Sequence, residues 1–332
     1  MKVVQFIAST GWGGAERVFV DLCNEIARHE RLTAVTYPNP AIVDRLGSGV
    51  EVRIIPSVSR YNPLHYWSLY RIIKEGGFDV IHTHCAKATE IIHRICYFHG
   101  MRHVATKHNA RKAKVFNKVR NVTAVSVAAA KSVRQGATVI YNGINPVAVS
   151  PIDTGFPADT HFRILAVGRL DPVKGFDRLI EQAAAIRGDF LLDIAGEGPE
   201  FDNLRRQIDA HGLDGKIRLL GFQADIPGLM AKSDLVIISS HSEGFPLVLV
   251  ESLYYAKVLI STPVGGVSEI LDSRFIADPS DLLGKAMQVA ADYAEYRQHF
   301  EVLSSTYRDR FSIQGIAASY RELYRSVMDR EP

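Results

Sequence analysis

The sequence predicts an α/β protein made of two doubly wound lobes, each with a parallel sheet. Its 332 residues suit two domains of about 150 residues each. Short, continuously apolar runs alternate with amphipathic helical stretches in both halves, which is typical of parallel sheets covered on both faces. The alternation pauses once, over 143–161, where three prolines interrupt any regular period. We expect ligands in a crevice at the carboxyl ends of the strands.

The predicted elements of the first lobe follow from apolar runs and helical spacing. The strands are 3–8, 32–37, 51–55, 78–84, 103–107, 123–127 and 138–142, and the helices are 15–28, 64–76 and 87–98. The second lobe repeats the pattern after the pause. Its strands are 162–168, 189–196, 216–221, 233–239 and 257–261, and its helices are 175–187, 199–211 and 246–256. A last helix is predicted over 312–328.

Composition excludes several protein classes. No apolar run approaches the roughly 20 residues that a membrane-spanning helix needs, and the N-terminal apolar run is interpreted as a first strand rather than a signal peptide. Three cysteines without CxxC spacing argue against a disulfide framework and favour the reducing cytoplasm. The twelve histidines form no HExxH motif, so no metal site is predicted.

Charge is distributed unevenly along the chain. Residues 1–150 carry 20 basic and 9 acidic side chains, whereas the rest carry 19 and 27, although the whole chain is only +3. Two halves of opposite charge indicate two different partners. The segment 107–120 has six basic residues, no acidic one, and Val115 and Phe116 among them. It predicts peripheral contact with an anionic membrane; no nucleic-acid motif accompanies it.

Two glycine-containing loops are candidate anion sites. GWGGAE (11–16) follows the first strand and opens a helix, which suits an anion, but Glu16 breaks the dinucleotide fingerprint and a plain turn remains an alternative. VGRLDPVKG (167–175) carries Arg169 and Lys174 in a strand-loop-helix unit. Two cations beside a helix start could hold a diphosphate, although a solvated basic loop is the alternative for the motif alone.

The most specific pattern is SEGFPLVLVES (242–252), with Glu243 and Glu251 separated by seven residues. Pro246 suits the first turn of a helix, so Gly244 and Phe245 are expected to present amides at its mouth. Two carboxylates near a helix start suit sugar and ribose hydroxyl groups. Two successive strands of the first lobe end in histidines, namely His82, His84 and His108. These histidines are interpreted either as ligand-binding groups or as ordinary polar contacts. No D-x-D motif occurs, which favours metal-free catalysis.

These motifs, together with GGAER (13–17), VIYNGI (139–144), IAGEGPE (194–200) and STPVGG (261–266), resemble retaining glycosyltransferase family 4, which has the GT-B fold. The resemblance covers nearly the whole chain. It departs at NGIN, where the family often has NGID, and at LVES (249–252), where an LEA-type run is common. It implies an acceptor-binding lobe over 1–145 completed by a final helix over 312–330, a linker over 146–161, and a nucleotide-sugar lobe over 162–311.

The resemblance also implies residue roles. Arg169 and Lys174 would hold the diphosphate of the donor, Glu243 would contact the transferred sugar, and Glu251 the ribose. Catalysis would depend on Arg169, Lys174, Glu243 and His108, the last near the anomeric carbon. The remaining binding groups would be Gly13, Gly14, Gly198, Phe222, Gly244, Phe245 and Leu247.

The implied activity is transfer of a hexose-type sugar from a nucleotide-diphosphate sugar, with UDP favoured, and with no cofactor or metal. The acceptor would be a glycan or lipid-linked molecule such as lipopolysaccharide core or a surface polysaccharide precursor. The enzyme would be cytoplasmic and peripheral at the inner membrane face. The alternatives are a nucleotide-sugar epimerase or hydrolase of the same fold, an inactive sugar-binding member, and a Rossmann oxidoreductase, against which the broken GxGxxG argues.

Overall fold

The computed structural model describes residues 1–57, 62–149, 161–186 and 188–329, so the predicted linker lies mostly outside the described residues. The chain divides into two compact units. The first comprises Met1–Asn145 together with the C-terminal segment from Arg310, and the second comprises Pro146–Asp309.

The first unit contains a seven-stranded, fully parallel sheet in the order β3-β2-β1-β4-β5-β6-β7. Its strands are β1 (Lys2–Ile7), β2 (Arg31–Thr36), β3 (Val50–Ile54), β4 (Val80–His84), β5 (His103–Lys107), β6 (Asn121–Ala124) and β7 (Thr138–Val139). Its helices are α1 (Gly14–Ala27), α2 (Pro40–Val43), α3 (Pro63–Gly76), α4 (Cys85–His99) and α5 (Val127–Ala130). The strand order reverses between β1 and β4, which is where a doubly wound sheet binds ligands.

The second unit contains a five-stranded parallel sheet in the order β10-β9-β8-β11-β12, which reverses between β8 and β11. Its strands are β8 (Phe162–Val167), β9 (Phe190–Ala195), β10 (Ile217–Gly221), β11 (Leu235–Ile238) and β12 (Leu259–Ser261). Its helices are α6 (Phe176–Ala185), α7 (Phe201–Ala210), α8 (Ile226–Lys232), α9 (Leu247–Tyr255), α10 (Leu282–Ala291) and α11 (Tyr293–Tyr307). The two doubly wound lobes predicted from the sequence are therefore confirmed.

The last helix, α12 (Ile313–Met328), returns to the first unit. Its entry is fixed by backbone hydrogen bonds between Ile144 and the segment 311–313, at 3.0 and 2.8 Å. Its apolar face, which includes Ile316, Tyr320 and Tyr324, shares a buried cluster with α1 and the first sheet. Burial of this face, rather than intrinsic helix propensity, stabilises α12 in place.

One predicted strand was wrong. The run 123–127 was expected to be a single strand, but β6 ends at Ala124 and the short helix α5 follows. Ser126 caps α5 by accepting a hydrogen bond from the amide of Ala129 at 3.1 Å, which competes with continuation of the strand.

Candidate functional site

The carboxyl end of β8 in the second unit holds the predicted cationic loop. Gly175 has φ +66, and a Cβ there would lie 2.5 Å from the carbonyl oxygen of Ser239, so only glycine allows this approach. The loop is further tied to the segment after β11, because the Ser239 hydroxyl donates to the Lys174 carbonyl at 2.7 Å. The amide of His241 donates to the Val173 carbonyl at 2.8 Å. The point where the sheet order reverses therefore brings the Arg169–Lys174 loop into contact with the segment that leads from β11 to the glutamate motif.

Lys174 and Glu243 meet directly at this junction. Lys174 Nζ donates to Glu243 Oε1 at 2.6 Å, and the Ser240 hydroxyl donates to the same oxygen at 2.7 Å. Both charged side chains are mostly buried, with 22% and 15% of their surface exposed. Since separating either charge from its partner would leave the other poorly solvated, the pair fixes the position of both groups.

Arg169 lies in the same loop and is mainly exposed, with its guanidinium paired to Asp171. Asp171 also caps the short 3₁₀ helix Pro172–Lys174 by accepting from the amide of Val173 at 3.2 Å. One carboxylate thus orients the arginine and shapes the turn that presents Lys174. The sequence motif does not identify Asp171 as a functional residue, because its pairing with Arg169 depends on the conformation of the loop.

Gly198 has a packing role in this structure. A Cβ on Gly198 would lie 2.2 Å from the carbonyl oxygen of Leu170, and one on Gly196 would lie 1.8 Å from the carbonyl oxygen of Gly168. The loop after β9 therefore supports the Arg169 loop by direct backbone contact. Phe222, which follows β10, exposes 61% of its surface and is available for contact with a ligand.

The glutamate motif continues into α9, which begins at Leu247 with Pro246 as its N-cap, one residue later than predicted. Gly244 and Phe245 are buried, and the Gly244 carbonyl accepts a hydrogen bond from the amide of Gly266 at 2.9 Å. Glu251 lies just over one turn into α9 and is buried. A buried carboxylate is costly unless it is hydrogen-bonded or paired, and Glu251 has such an interaction within the protein.

In the first unit, the glycine turn lies between β1 and α1. Gly13 is the N-cap of α1 and supplies no side-chain cap, and Gly14 begins the helix. The side-chain amide of Asn39 donates to the carbonyl of Gly11 at 2.7 Å and holds the turn in place. A helix start without a capping side chain suits an anion.

His84 and His108 form a hydrogen-bonded pair at the ends of β4 and β5. Their rings approach through His84 Nδ1 and His108 Nε2 at 3.1 Å. His84 Nε2 lies 3.0 Å from the side-chain oxygen of Gln5, which can only accept, so that nitrogen carries the proton. In a neutral His84, Nδ1 then has no proton and accepts a hydrogen bond from His108 Nε2. Because Nε2 carries the proton of a neutral His108, its Nδ1 is left as an acceptor.

Both histidines are neutral at physiological pH. Burial lowers the pKa of His108 to about 4. Burial, followed by the neighbouring His82 and His108, holds the pKa of His84 well below its usual value. The amide of Gln5 is itself anchored, since its nitrogen donates to the hydroxyl of Tyr324 on α12 at 3.4 Å. The last helix therefore helps to set the tautomer of His108.

His82 belongs to the packing of the first unit. It is fully buried, and its two ring nitrogens contact the Tyr324 hydroxyl at 2.7 Å and the Thr106 hydroxyl at 2.6 Å. Of the two interpretations of His82, a ligand-binding group or an ordinary polar contact, the structure therefore supports the polar contact. Gln5 and Tyr324 were missed by sequence reasoning, although Gln5 is the one polar residue in the apolar run VVQFIA.

Cys85, directly after His84, has φ +67, and among the described residues it is the one non-glycine residue with positive φ. Such a conformation costs roughly 1–2 kcal/mol. The strained residue turns the chain sharply from β4 into α4, and so fixes His84 at the edge of the sheet.

The basic segment differs from its prediction. Lys107 is buried, its ammonium donates to the carbonyl of Arg111, and burial lowers its pKa. Phe116 is also buried, in a cluster with Val119 and Val122, so the expected apolar contact with a membrane is wrong for this residue. The exposed basic residues of the segment are Arg111, Lys112, Lys114, Lys118 and Arg120.

The candidate residues thus form two groups, one in each unit. Within the described ranges no helix has the length and apolar character to span a bilayer. In the same part of the chain, no three His, Cys, Asp or Glu side chains are grouped as metal ligands.

Comparison with known proteins agrees with this arrangement. The family model "Glycosyl transferases group 1" matches residues 154–300, and "Glycosyltransferase Family 4" matches residues 12–147. Two parallel α/β lobes with these motifs at their reversal points define a glycosyltransferase of the GT-B fold, and the chain belongs to the group 1, family 4 glycosyltransferases.

The sequence identity to individual relatives is low. The chain is 26% identical to the lipopolysaccharide core biosynthesis glycosyltransferase LpsD of Rhizobium meliloti, over 98% of each chain. It is 25% identical to an uncharacterized glycosyltransferase of Methanocaldococcus jannaschii, over 84% of this chain and 86% of the relative. Among solved structures, HepE of Anabaena in complex with UDP matches with a TM-score of 0.86 and 22% identity, over 98% of this chain and 100% of HepE.

Proposed function

We propose that this glycosyltransferase moves a hexose-type sugar from a UDP-sugar to a glycan or lipid-linked acceptor, such as lipopolysaccharide core or a surface polysaccharide precursor. The observation that carries the proposal is the Lys174–Glu243 pair, held at 2.6 Å where the second sheet reverses, with Arg169 in the same loop. HepE, a neighbour in fold, was crystallised with UDP and with UDP-glucose. LpsD, a full-length relative, is named for lipopolysaccharide core biosynthesis.

The second unit supplies the donor site in this proposal. Arg169 and Lys174 hold the diphosphate, and their charges stabilise the negative charge that grows as the sugar leaves. Glu243 accepts hydrogen bonds from the hydroxyl groups of the sugar, and Glu251 from the ribose. The amides of Gly244, Phe245 and Leu247 approach the sugar and phosphate, while Gly198 and Phe222 flank the base.

The reaction proceeds with retention of the anomeric configuration. The bond between the anomeric carbon and the diphosphate oxygen breaks through an oxocarbenium-like state, and the acceptor hydroxyl attacks from the same face. The departing phosphate takes the proton of that hydroxyl. His108 serves as a neutral hydrogen-bond acceptor near the anomeric carbon, because burial lowers its pKa to about 4 and makes it a weak base. Gly13 and Gly14 leave the start of α1 open to an anionic group in the first unit.

Catalysis without a metal is supported by the absence of D-x-D in the sequence and by the cations of the Arg169 loop. Those cations carry out the charge neutralisation that a divalent metal performs in other transferases. Transfer in excess EDTA should proceed at the normal rate. An absolute requirement for Mg²⁺ or Mn²⁺ would contradict this part of the proposal.

Peripheral binding at the cytoplasmic face of the membrane is supported by the five exposed basic residues of the segment 111–120. Each charge near an anionic leaflet contributes about 1 kcal/mol, and the first 150 residues carry a large basic excess.

The donor is tested by thermal shift with a panel of UDP-, GDP- and ADP-sugars, followed by assay of sugar release and transfer with the best of them. We expect a UDP-sugar to raise the melting temperature most. A shift produced by NAD(P) and by no nucleotide sugar would overturn the proposal.

A further inference from the structure

The first unit contains a surface groove outside the groups described so far. It has a volume of about 800 Å³ and lies between α4 and the segment 113–118. Its walls are formed by Ala86, His93, Arg94, Tyr97, Lys114 and Lys118, with Glu90 and Val115 also contributing.

The groove begins at the edge of the sheet that carries the two histidines. Ala86, at one end, is two residues beyond His84, and Tyr97, at the other, is three turns further along α4. At 1.5 Å per residue these ends are about 16 Å apart. The groove is thus long enough for several sugar units, and one end adjoins the proposed reaction site.

The groove presents positive charge that is not neutralised. Lys114 and Lys118 are exposed and, among the described residues, have no ion-pair partner. Arg94 is shared, since it donates to Glu90 at 3.0 Å and to the Tyr66 hydroxyl at 2.7 Å. Burial, with Lys118 and Arg94 contributing, lowers the pKa of His93, so this ring is neutral and adds no charge.

Tyr97 adds a flat apolar surface. It exposes 77% of its area, the largest fraction among the exposed large hydrophobic residues of the described chain. Exposed aromatic rings that face a polar groove are suited to contact with the apolar face of a sugar ring, and tyrosine adds a hydrogen-bonding hydroxyl.

We propose that this groove binds a phosphate-bearing sugar of the acceptor, with Lys114 and Lys118 on the phosphate and Tyr97 against the ring. The inference rests on the proposed function and narrows the acceptor to an anionic, phosphorylated saccharide. A flat bilayer would contact all the exposed lysines of the segment alike, whereas a phosphate bound in the groove would contact only the lysines that line it. Lys112 is exposed in the same segment but does not line the groove, so it provides the matched control.

The test uses glucose 6-phosphate as the probe, followed by ³¹P NMR, with the full chain and no lipid. Saturating UDP occupies the nucleotide site so that the probe reports on the first unit. The wild-type protein should broaden the phosphate resonance, whereas equal concentrations of inorganic phosphate should be affected more weakly. Lys114→Gln and Lys118→Gln should each weaken binding about fivefold or more, and Tyr97→Ala should weaken binding of the sugar phosphate but not of phosphate. Lys112→Gln should match wild type.

Equal loss in Lys112→Gln and Lys114→Gln would mean non-specific attraction and would overturn the proposal, as would no binding by wild type. The thermal shift produced by UDP in every variant separates this result from the donor assignment. A protein that binds UDP but not glucose 6-phosphate refutes the groove alone, whereas one that does not respond to UDP refutes the proposed function.

Discussion

The two units of this glycosyltransferase place opposite kinds of chemistry at equivalent positions of the same fold. Each has a parallel sheet that reverses once, between β1 and β4 or between β8 and β11, with its candidate residues just beyond the strand ends. In the second unit these residues are charged and paired, as with Lys174 and Glu243. In the first unit they are neutral, as with the buried His84 and the half-buried His108. The fold sets where these groups lie, and the side chains decide whether a group is charged or neutral.

The largest effect is expected in the charged group. Lys174→Ala or Arg169→Ala should reduce turnover by about 10²-fold or more, because in the proposed mechanism each removes a cation that stabilises the leaving diphosphate. Arg206→Ala is the control, because the hydrogen bonds of this exposed arginine of α7 to described residues stay within its own helix turn. Steady-state transfer with unchanged circular dichroism measures the effect. Near-normal rates in both loop variants would contradict a charge-stabilising role for the second unit.

Glu243→Gln should have a smaller effect of roughly 1–3 kcal/mol on the transition state, or about 5- to 150-fold in rate. The amide keeps the shape of the side chain but loses the charge that pairs with Lys174. Its affinity for free UDP should change less than its rate of transfer, because the proposed partner of this glutamate is the transferred sugar. The opposite pattern would move Glu243 from the sugar to the nucleotide.

The neutral group makes a different prediction, about stability against pH. In the folded state the pKa of His108 is about 4 and that of His103 about 3, both lowered by burial, whereas unfolded histidine titrates near 6.5. Above pH 6.5 neither state takes up these protons. Between pH 6.5 and about 4 the unfolded state binds more protons, so the free energy of unfolding falls as the pH falls. The melting temperature should therefore decrease over this window, and less steeply in His108→Asn. A wild-type curve that is flat from pH 7 to 4.5 would show that the cluster is not buried and neutral.

The smallest effects concern the exposed basic segment. Co-sedimentation with anionic vesicles should weaken by roughly fivefold per reversed charge and weaken further with salt. Arg111→Glu with Lys112→Glu should lose as much binding as Lys114→Glu with Lys118→Glu, because a bilayer does not distinguish them. Equal binding to neutral and anionic vesicles would refute the membrane assignment.

Much of the fold could be predicted because apolar strands and amphipathic helices are recognisable from the local spacing of their apolar residues. The strand 103–107 was predicted at its observed bounds, and most others within two residues. The second-unit motifs could be found because they are short and rich in glycine and charge. The roles of Gln5 and Tyr324 could not, since 319 positions separate them and only the packing of α12 brings them together. The burial of Phe116 could not be predicted either, because it depends on packing against residues of β5 and β6 rather than on the local pattern.

Isothermal titration of UDP into wild type, Glu251→Gln and His108→Asn tests the central claim most directly. If the second unit binds the nucleotide and the first positions the reacting groups, Glu251→Gln should lose about 1–3 kcal/mol of UDP affinity, as expected for a hydrogen bond to a charged group. His108→Asn should bind UDP like wild type while losing transfer activity. Unchanged UDP affinity in Glu251→Gln, or an equal loss in His108→Asn, would contradict this division between the two units.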